Sequence, residues 1–212
     1  MAGFLFDLDG VIIDSEKQYS KIWIQINKEY PTGIPDLEIK IKGMTLDKIL
    51  KEYYQDEDLR EKVKDRLYEL ESKIIYSYKD SALDFLKRLK KLHLPTALVT
   101  SSNRVKMEKL KETIPDIENW FDYIVTSESI TKSKPDPEGY LLASKKLNID
   151  PKNCVIFEDS LQGVMAGKNS GAFVIGVKGT IPQDKLIPYS NLLISGFDEI
   201  NLQNLINLLS NR

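Results

Sequence analysis

Unbroken apolar runs alternate with segments of helical period along most of the chain. Five runs, Gly3 to Phe6, Thr96 to Thr100, Tyr123 to Thr126, Cys154 to Phe157 and Phe173 to Val177, are short and contain few charges, with Leu192 to Ile194 a weaker sixth. Runs without polar alternation mark strands covered on both faces, and so predict a parallel sheet. Between the later runs, Ala82 to Leu92, Val105 to Thr113, Glu138 to Leu147 and Leu161 to Ser170 repeat their apolar residues at helical spacing, and a last helix is expected near Asn201 to Leu209. Strand and helix in alternation predict an α/β fold, a doubly wound parallel sheet of Rossmann type.

One stretch breaks the alternation. Between Ser15 and Lys79 no buried-strand run occurs; Lys17 to Glu29, Thr45 to Tyr54 and Asp58 to Tyr76 carry helical spacing, interrupted by Pro31, Gly33, Pro35 and Gly43. The pattern predicts a small helical domain over residues 15–79, inserted into an α/β core made of residues 1–14 and 80–212. Acidic and basic residues are equal in number within this insert, so it presents no positive field to a nucleic acid.

Composition narrows the picture further. With 212 residues, 42% of them hydrophobic and 29% charged, and a formal net charge of −2, the chain can bury a sizeable core and is neither disordered nor polybasic. No apolar stretch is long enough to span a bilayer, and Met1 to Leu8 is too short for an export signal, so a soluble, cytoplasmic monomer without a membrane or nucleic-acid partner is expected. Cys154 is the single cysteine and lies in an apolar run, which predicts a buried, inert thiol. His93 falls in the turn before the second strand, where a surface or capping role is expected.

The chemistry lies where strands end. In open α/β sheets ligands sit beyond the carboxyl ends of the strands, and the first run stops at Asp7 and Asp9. Two carboxylates so close need a compensating cation or positive side chain. The second strand leads into Thr100, Ser101, Ser102 and Asn103, whose hydroxyls and main-chain N–H groups at a helix start suit an anion. Lys134 stands in the stiff segment Ser133-Lys134-Pro135-Asp136-Pro137 after the third strand, and Glu158-Asp159 closes the fourth. Each group alone has an ordinary reading as a turn, a cap or a solvated loop. Their convergence on one edge of one sheet is what makes them a candidate site.

The pattern Asp7-x-Asp9-Gly10-Val11-x-x-Asp14-Ser15, with Thr100-Ser101-Ser102, Lys134-Pro135-Asp136-Pro137 and Glu158-Asp159-Ser160-x-x-Gly163, resembles the haloacid dehalogenase superfamily in its phosphatase and phosphomutase branch. The resemblance implies that Asp7 is a nucleophile forming an aspartyl-phosphate and that Asp9 is the general acid and base, with a pKa above that of its neighbour. It implies that Thr100, Ser101, Ser102 and Lys134 hold the phosphoryl oxygens. It also implies Mg²⁺, bound by the Asp7 carboxylate, the Asp9 main-chain carbonyl and Asp159, with Glu158 bound directly or through water. Asp14 is expected to hydrogen-bond structurally.

By the same resemblance the insert is a cap, with Glu16, Tyr19 and the loop Lys42-Gly43-Met44-Thr45 meeting the leaving group. Trp23, Tyr53 and Tyr54 are expected in the cap core, and Tyr76 and Tyr78 at the return hinge. Tyr19 and Leu46 stand where the β-phosphoglucomutase pattern has a histidine and an arginine. That departure favours hydrolysis of a small phosphorylated metabolite, a sugar phosphate or nucleoside monophosphate, with the mutase reaction as the alternative. A noncatalytic phosphometabolite-binding module is the second alternative, against which the intact set of Asp7, Asp9, Lys134 and Asp159 argues.

Overall fold

The first strand, β1 (Gly3–Phe6), is buried along its whole length at the middle of a parallel sheet. In the computed structural model, which describes residues 1–210, its neighbours are β2 (Thr96–Val99), β3 (Tyr123–Val125), β4 (Cys154–Glu158), β5 (Phe173–Val177) and β6 (Leu192–Ile194), in the order β3-β2-β1-β4-β5-β6. Strand order reverses at β1, the place where an open α/β sheet forms its crevice. The register pairs Phe6 with Leu98 on one side and with Phe157 on the other, so Asp7 emerges beside Glu158.

Both sheet faces are covered, which is why the strands read as unbroken apolar runs. Phe4 and Phe6 face one side, where Phe6 stacks on Phe157 at 4.8 Å and Phe85 on Phe197 at 4.9 Å. Leu5 faces the other, against Val99, Ile156, Tyr140 and Ala143. The covering helices are α5 (Ala82–Lys91), α6 (Arg104–Thr113), α7 (Glu138–Lys146), α8 (Leu161–Ser170) and α10 (Leu202–Ser210), with a single-turn α9 (Gln183–Leu186). The sequence carries the strands one residue too far at Thr100 and Thr126, where the chain already turns, and stops one short at Glu158, which belongs to β4.

Between β1 and β2 come α1 (Glu16–Glu29), α2 (Leu37–Lys40), α3 (Leu46–Tyr53) and α4 (Glu57–Glu71). Helix α1 packs on α2 and α4, and α3 on α4, with Trp23 and Tyr54 buried and Tyr53 half-buried. The four residues of α2 are too few for a helical period to register. Helix α4 stops at Glu71 rather than running to Tyr76, because Ile74 turns back onto the Glu71 carbonyl at 3.0 Å and the chain then extends to pair Tyr78 with Ile13.

The return to the core is stitched by main-chain groups. Asp14 N–H donates to Ser77 O at 3.0 Å and Lys79 N–H to Ile12 O at 2.8 Å, while the Lys79 ammonium donates to Gly10 O at 2.6 Å. The structural role expected of Asp14 thus belongs to its main chain; the residue itself is exposed. His93 is exposed at φ 51° just past α5, a capping conformation. Cys154 is buried, and burial pushes its thiol up to about 12. No described helix is long and apolar enough to cross a membrane.

Candidate active site

Asp7 follows directly on β1 and meets a fixed cation. Lys134, itself buried, donates to Asp7 Oδ1 at 2.6 Å, to Val99 O at 3.3 Å and to Glu158 Oε1. Glu158 is held from all sides: Tyr140 Oη donates to Oε1 at 2.6 Å, and Asp159 N–H and Ser160 Oγ donate to Oε2 at 3.1 Å. Asp159 accepts from the Thr180 hydroxyl. Burial drives the Asp7 carboxyl well above the usual range, against the pull of Lys134. Burial, reinforced by Glu158, pushes Asp159 up to about 7.

These carboxylates fit a metal. Asp7, Glu158 and Asp159 each bring an oxygen to within 4.8 Å of the other two, and all three are buried. One ammonium among three acids leaves an excess of negative charge in a desolvated place, which a divalent cation with a taste for hard oxygen donors relieves. Gly10 shapes the floor beside them: its φ is +74°, and a Cβ there would lie 1.8 Å from Asp159 Oδ2.

Asp9 belongs to a different group. Its carboxylate accepts from Ser15 Oγ, from Ser102 Oγ at 3.3 Å and from the Lys106 ammonium at 2.5 Å, and it lies outside the metal-sized cluster. Burial works to raise its pKa, but Lys106 and the hydrogen bonds outweigh burial and lower it. The expectation that Asp9 would titrate above its neighbour is therefore reversed in this geometry. Lys106 is the reason, and sequence reasoning missed it.

The helix α6 begins at the Asn103 cap, which accepts from Lys106 N–H at 3.0 Å. A side chain in a first helical turn leans back towards the preceding loop, here the ends of the strands. Lys106 is only 7% exposed, and its ammonium sits 3.9 Å from the centroid of the Tyr19 ring. A cation near a helix N-terminus opposes the helix dipole, so its place is set by the acids it meets. The signal available was its position three residues after a candidate anion loop.

The hydroxyl loop divides. Thr100 is buried, and its Oγ1 accepts from Ser102 N–H at 3.0 Å; Ser101 and Ser102 line the cleft. The Ser101 hydroxyl donates to Gly43 O at 2.7 Å, tying the loop to the insert. Gly43, at φ +79°, approaches Ser160 so closely that a Cβ would lie 2.6 Å from its Oγ.

The insert closes the other side of the cleft. Glu16, Tyr19, Lys42 and Gly43 all line it, with Trp23, Ile41, Met44, Leu46, Ile49 and Leu67 making an apolar wall. Lys42 is ion-paired with Glu16. Tyr19 Oη and Tyr76 Oη are 2.9 Å apart, and Tyr78 Oη donates to Asp116 at 2.9 Å behind the cleft. Glu71, at the end of α4, is a second cleft residue the sequence did not single out.

Comparison with known proteins agrees with this arrangement. Residues 4–177 match the family described as haloacid dehalogenase-like hydrolase. A phosphorylated carbohydrates phosphatase of Thermotoga maritima is 36% identical over 185 residues, covering 81% of this chain and 82% of that protein. Validoxylamine A 7'-phosphate phosphatase of Streptomyces hygroscopicus is 28% identical over 201 residues, covering 89% and 91%. Among solved structures, a HAD hydrolase of family IA, variant 3, from Entamoeba histolytica superposes with a TM-score of 0.80 at 28% identity over 100% of both chains. The match across the sheet and the strand-end loops makes this chain a haloacid dehalogenase-like hydrolase of the phosphatase branch, a phosphoric monoester hydrolase.

Proposed function

We propose that the chain hydrolyses a small phosphomonoester, of the sugar phosphate or nucleoside monophosphate type, with Mg²⁺ and through a phosphorylated Asp7. The observation that carries the reading is the separation of the two aspartates, Asp7 with Lys134 and the acid cluster, Asp9 with Lys106 and two hydroxyls. A nucleophile and a proton carrier need such different surroundings. The name of the Thermotoga relative, a phosphatase of phosphorylated carbohydrates, supports a sugar ester.

In this reading Asp9, held ionised by Lys106 in the resting cleft, takes up a proton that enters with the phosphate monoanion; an Asp7 oxygen then attacks phosphorus while the bond to the leaving oxygen breaks, and Asp9 gives that oxygen its proton. Asp9, now ionised, takes a proton from a water that attacks the phosphoryl group, releasing phosphate and restoring Asp7. Lys134, the Thr100 hydroxyl and the Ser101 main-chain N–H would hold the phosphoryl oxygens, because phosphoryl transfer is mostly positioning and charge, while the Ser101 and Ser102 hydroxyls are engaged by Gly43 O and Asp9. Asp7, Asp159 and the Asp9 main-chain carbonyl, with Glu158, would hold Mg²⁺, which would offset the repulsion between phosphate and carboxylates. The insert acts as a cap.

A panel of phosphorylated metabolites and p-nitrophenyl phosphate, with and without Mg²⁺, tests the proposal. Release of inorganic phosphate that requires the metal is expected. Given β-glucose 1-phosphate and a trace of the 1,6-bisphosphate, ³¹P NMR should show phosphate and little glucose 6-phosphate. Accumulation of glucose 6-phosphate without free phosphate would promote the mutase alternative.

A further inference from the structure

The half of the cleft that meets the leaving group has an unusual charge balance. Among the described residues that line it, the only cations, Lys42 and Lys106, are already paired with Glu16 and Asp9. Glu38 and Glu71 also line the cleft, and neither forms an ion pair among the described residues. Glu71 is 8% exposed, and burial raises its pKa against the Lys106 charge and the Tyr19 hydroxyl. A buried carboxylate on a cleft wall is an acceptor with lone pairs to spare, and hydroxyl donors of a ligand are its natural complement. The remainder of the wall is apolar, from Leu46, Ile49 and Leu67 to the Trp23 ring.

We propose that Glu71 is a specificity-determining residue: it accepts a hydrogen bond from a hydroxyl of an uncharged, hydroxylated leaving group, and the cleft rejects esters that carry a second anion. The inference rests on the phosphatase reading and deepens it. A second phosphate or a carboxylate entering this half would meet Glu38 and Glu71 with no cation to receive it, and like charges brought together without water discriminate strongly. A hydroxyl-free leaving group would instead cover the Glu71 carboxyl with only the Tyr19 hydroxyl left to pair it, which is how a site built to hydrogen-bond rejects an analogue.

Three esters separate the possibilities: glucitol 6-phosphate, 6-phosphogluconate, which has the same skeleton with a carboxylate at the far end, and p-nitrophenyl phosphate. In the wild type, kcat/KM for glucitol 6-phosphate should exceed that for 6-phosphogluconate by about 100-fold or more. Glu71→Gln keeps the size of the side chain, removes its charge and substitutes a donor for one acceptor. It should lower the ratio of glucitol 6-phosphate to p-nitrophenyl phosphate about tenfold, and narrow the preference over 6-phosphogluconate. A general loss of folding or of phosphate binding would move all three esters together, so the ratios report recognition alone. Equal use of the two six-carbon esters by the wild type overturns the proposal, as do ratios that Glu71→Gln leaves where they were. Hydrolysis of p-nitrophenyl phosphate with no turnover of glucitol 6-phosphate overturns it too. A wild type that hydrolyses none of the three overturns the phosphatase reading itself. The wild-type comparison stands even if the variant does not fold.

Discussion

Asp7 and Asp9 are two residues apart on one strand end, yet they sit in opposite electrostatic worlds. Asp7 shares Lys134 with Glu158 and faces Asp159, and burial raises its pKa. Asp9 is ion-paired with Lys106 and accepts from two hydroxyls, and its pKa falls. Sequence proximity therefore says little about the state of a carboxylate; the cations that reach it decide. One group is acid-rich and fits a metal, the other is completed within the chain.

The largest effect should come from removing the nucleophile. Asp7→Asn is expected to cut turnover roughly 10⁴-fold or more while the variant stays folded, measured by steady-state phosphate release beside circular dichroism. Activity close to that of the wild type would end the covalent reading and with it the functional half of the comparison.

Next comes the Asp9 group. Lys106→Met strands a buried carboxylate, and losing one partner of a buried pair typically costs about 3–5 kcal/mol. A fall of that size in denaturant-derived stability is expected, against a negligible change for an exposed control such as Lys51→Met, whose ion pair with Asp47 is solvated. The sign with pH follows. Because the folded pKa of Asp9 lies below the ordinary value of 3.8, its stabilisation is present above that value and fades as pH falls through the lower folded value. Lys106→Met should flatten this acid limb.

The acid-rich group should titrate the other way. With Asp159 at about 7 when folded and an ordinary value of 3.8, the chelator-treated protein binds the extra proton between those values. Its stability should fall as pH rises through that window. Adding Mg²⁺ should raise Tm, more at pH 8 than at pH 5, and Asp159→Ala should abolish the rise. Thermal scans across pH, with chelator and with metal, check this; a metal response identical in the Asp159 variant would remove that residue from the metal site.

The smallest effect sharpens the support around Glu158. Tyr140→Phe removes the hydroxyl that donates at 2.6 Å to Glu158 Oε1, and should cost about 1–3 kcal/mol because the acceptor stays buried. Lys134 still holds that oxygen, so the fold should survive, with the loss read from denaturant midpoints.

What could be read without coordinates follows the same divide. The strands were legible because a sheet covered on both faces needs unbroken apolar runs; Asp7, Glu158 and Asp159 were legible because each sits at the end of such a run or just after it, and Lys134 because it stands in a loop stiffened by Pro135 and Pro137. Strand order was not, since nothing local records that β1 lies between β2 and β4. Lys106 and Glu71 were hidden by their helices: in α6 and α4, crowded with charged residues, one buried lysine or glutamate looks like its solvated neighbours. Only the packing of the insert over the strand ends distinguishes them. The reversed order of the two aspartate pKa values was hidden for the same reason, since it depends on Lys106.

The contacts that hold the insert's loop over the strand ends have a peculiarity of kind. Ser101 grips the carbonyl of Gly43, and the Lys48 ammonium reaches the carbonyl of Lys134 at 3.4 Å, so each grip has a main-chain atom as its receiving end. Peptide carbonyls are present whatever side chain a position carries. Mutational drift along the wall that includes Leu46, Ile49, Leu67 and Glu71 can therefore retune what is recognised while those two carbonyls remain to be gripped. Selection experiments that randomise that wall should yield folded variants with altered preferences at high frequency, and the fold becomes a scaffold in which selectivity is exchangeable and closure is inherited.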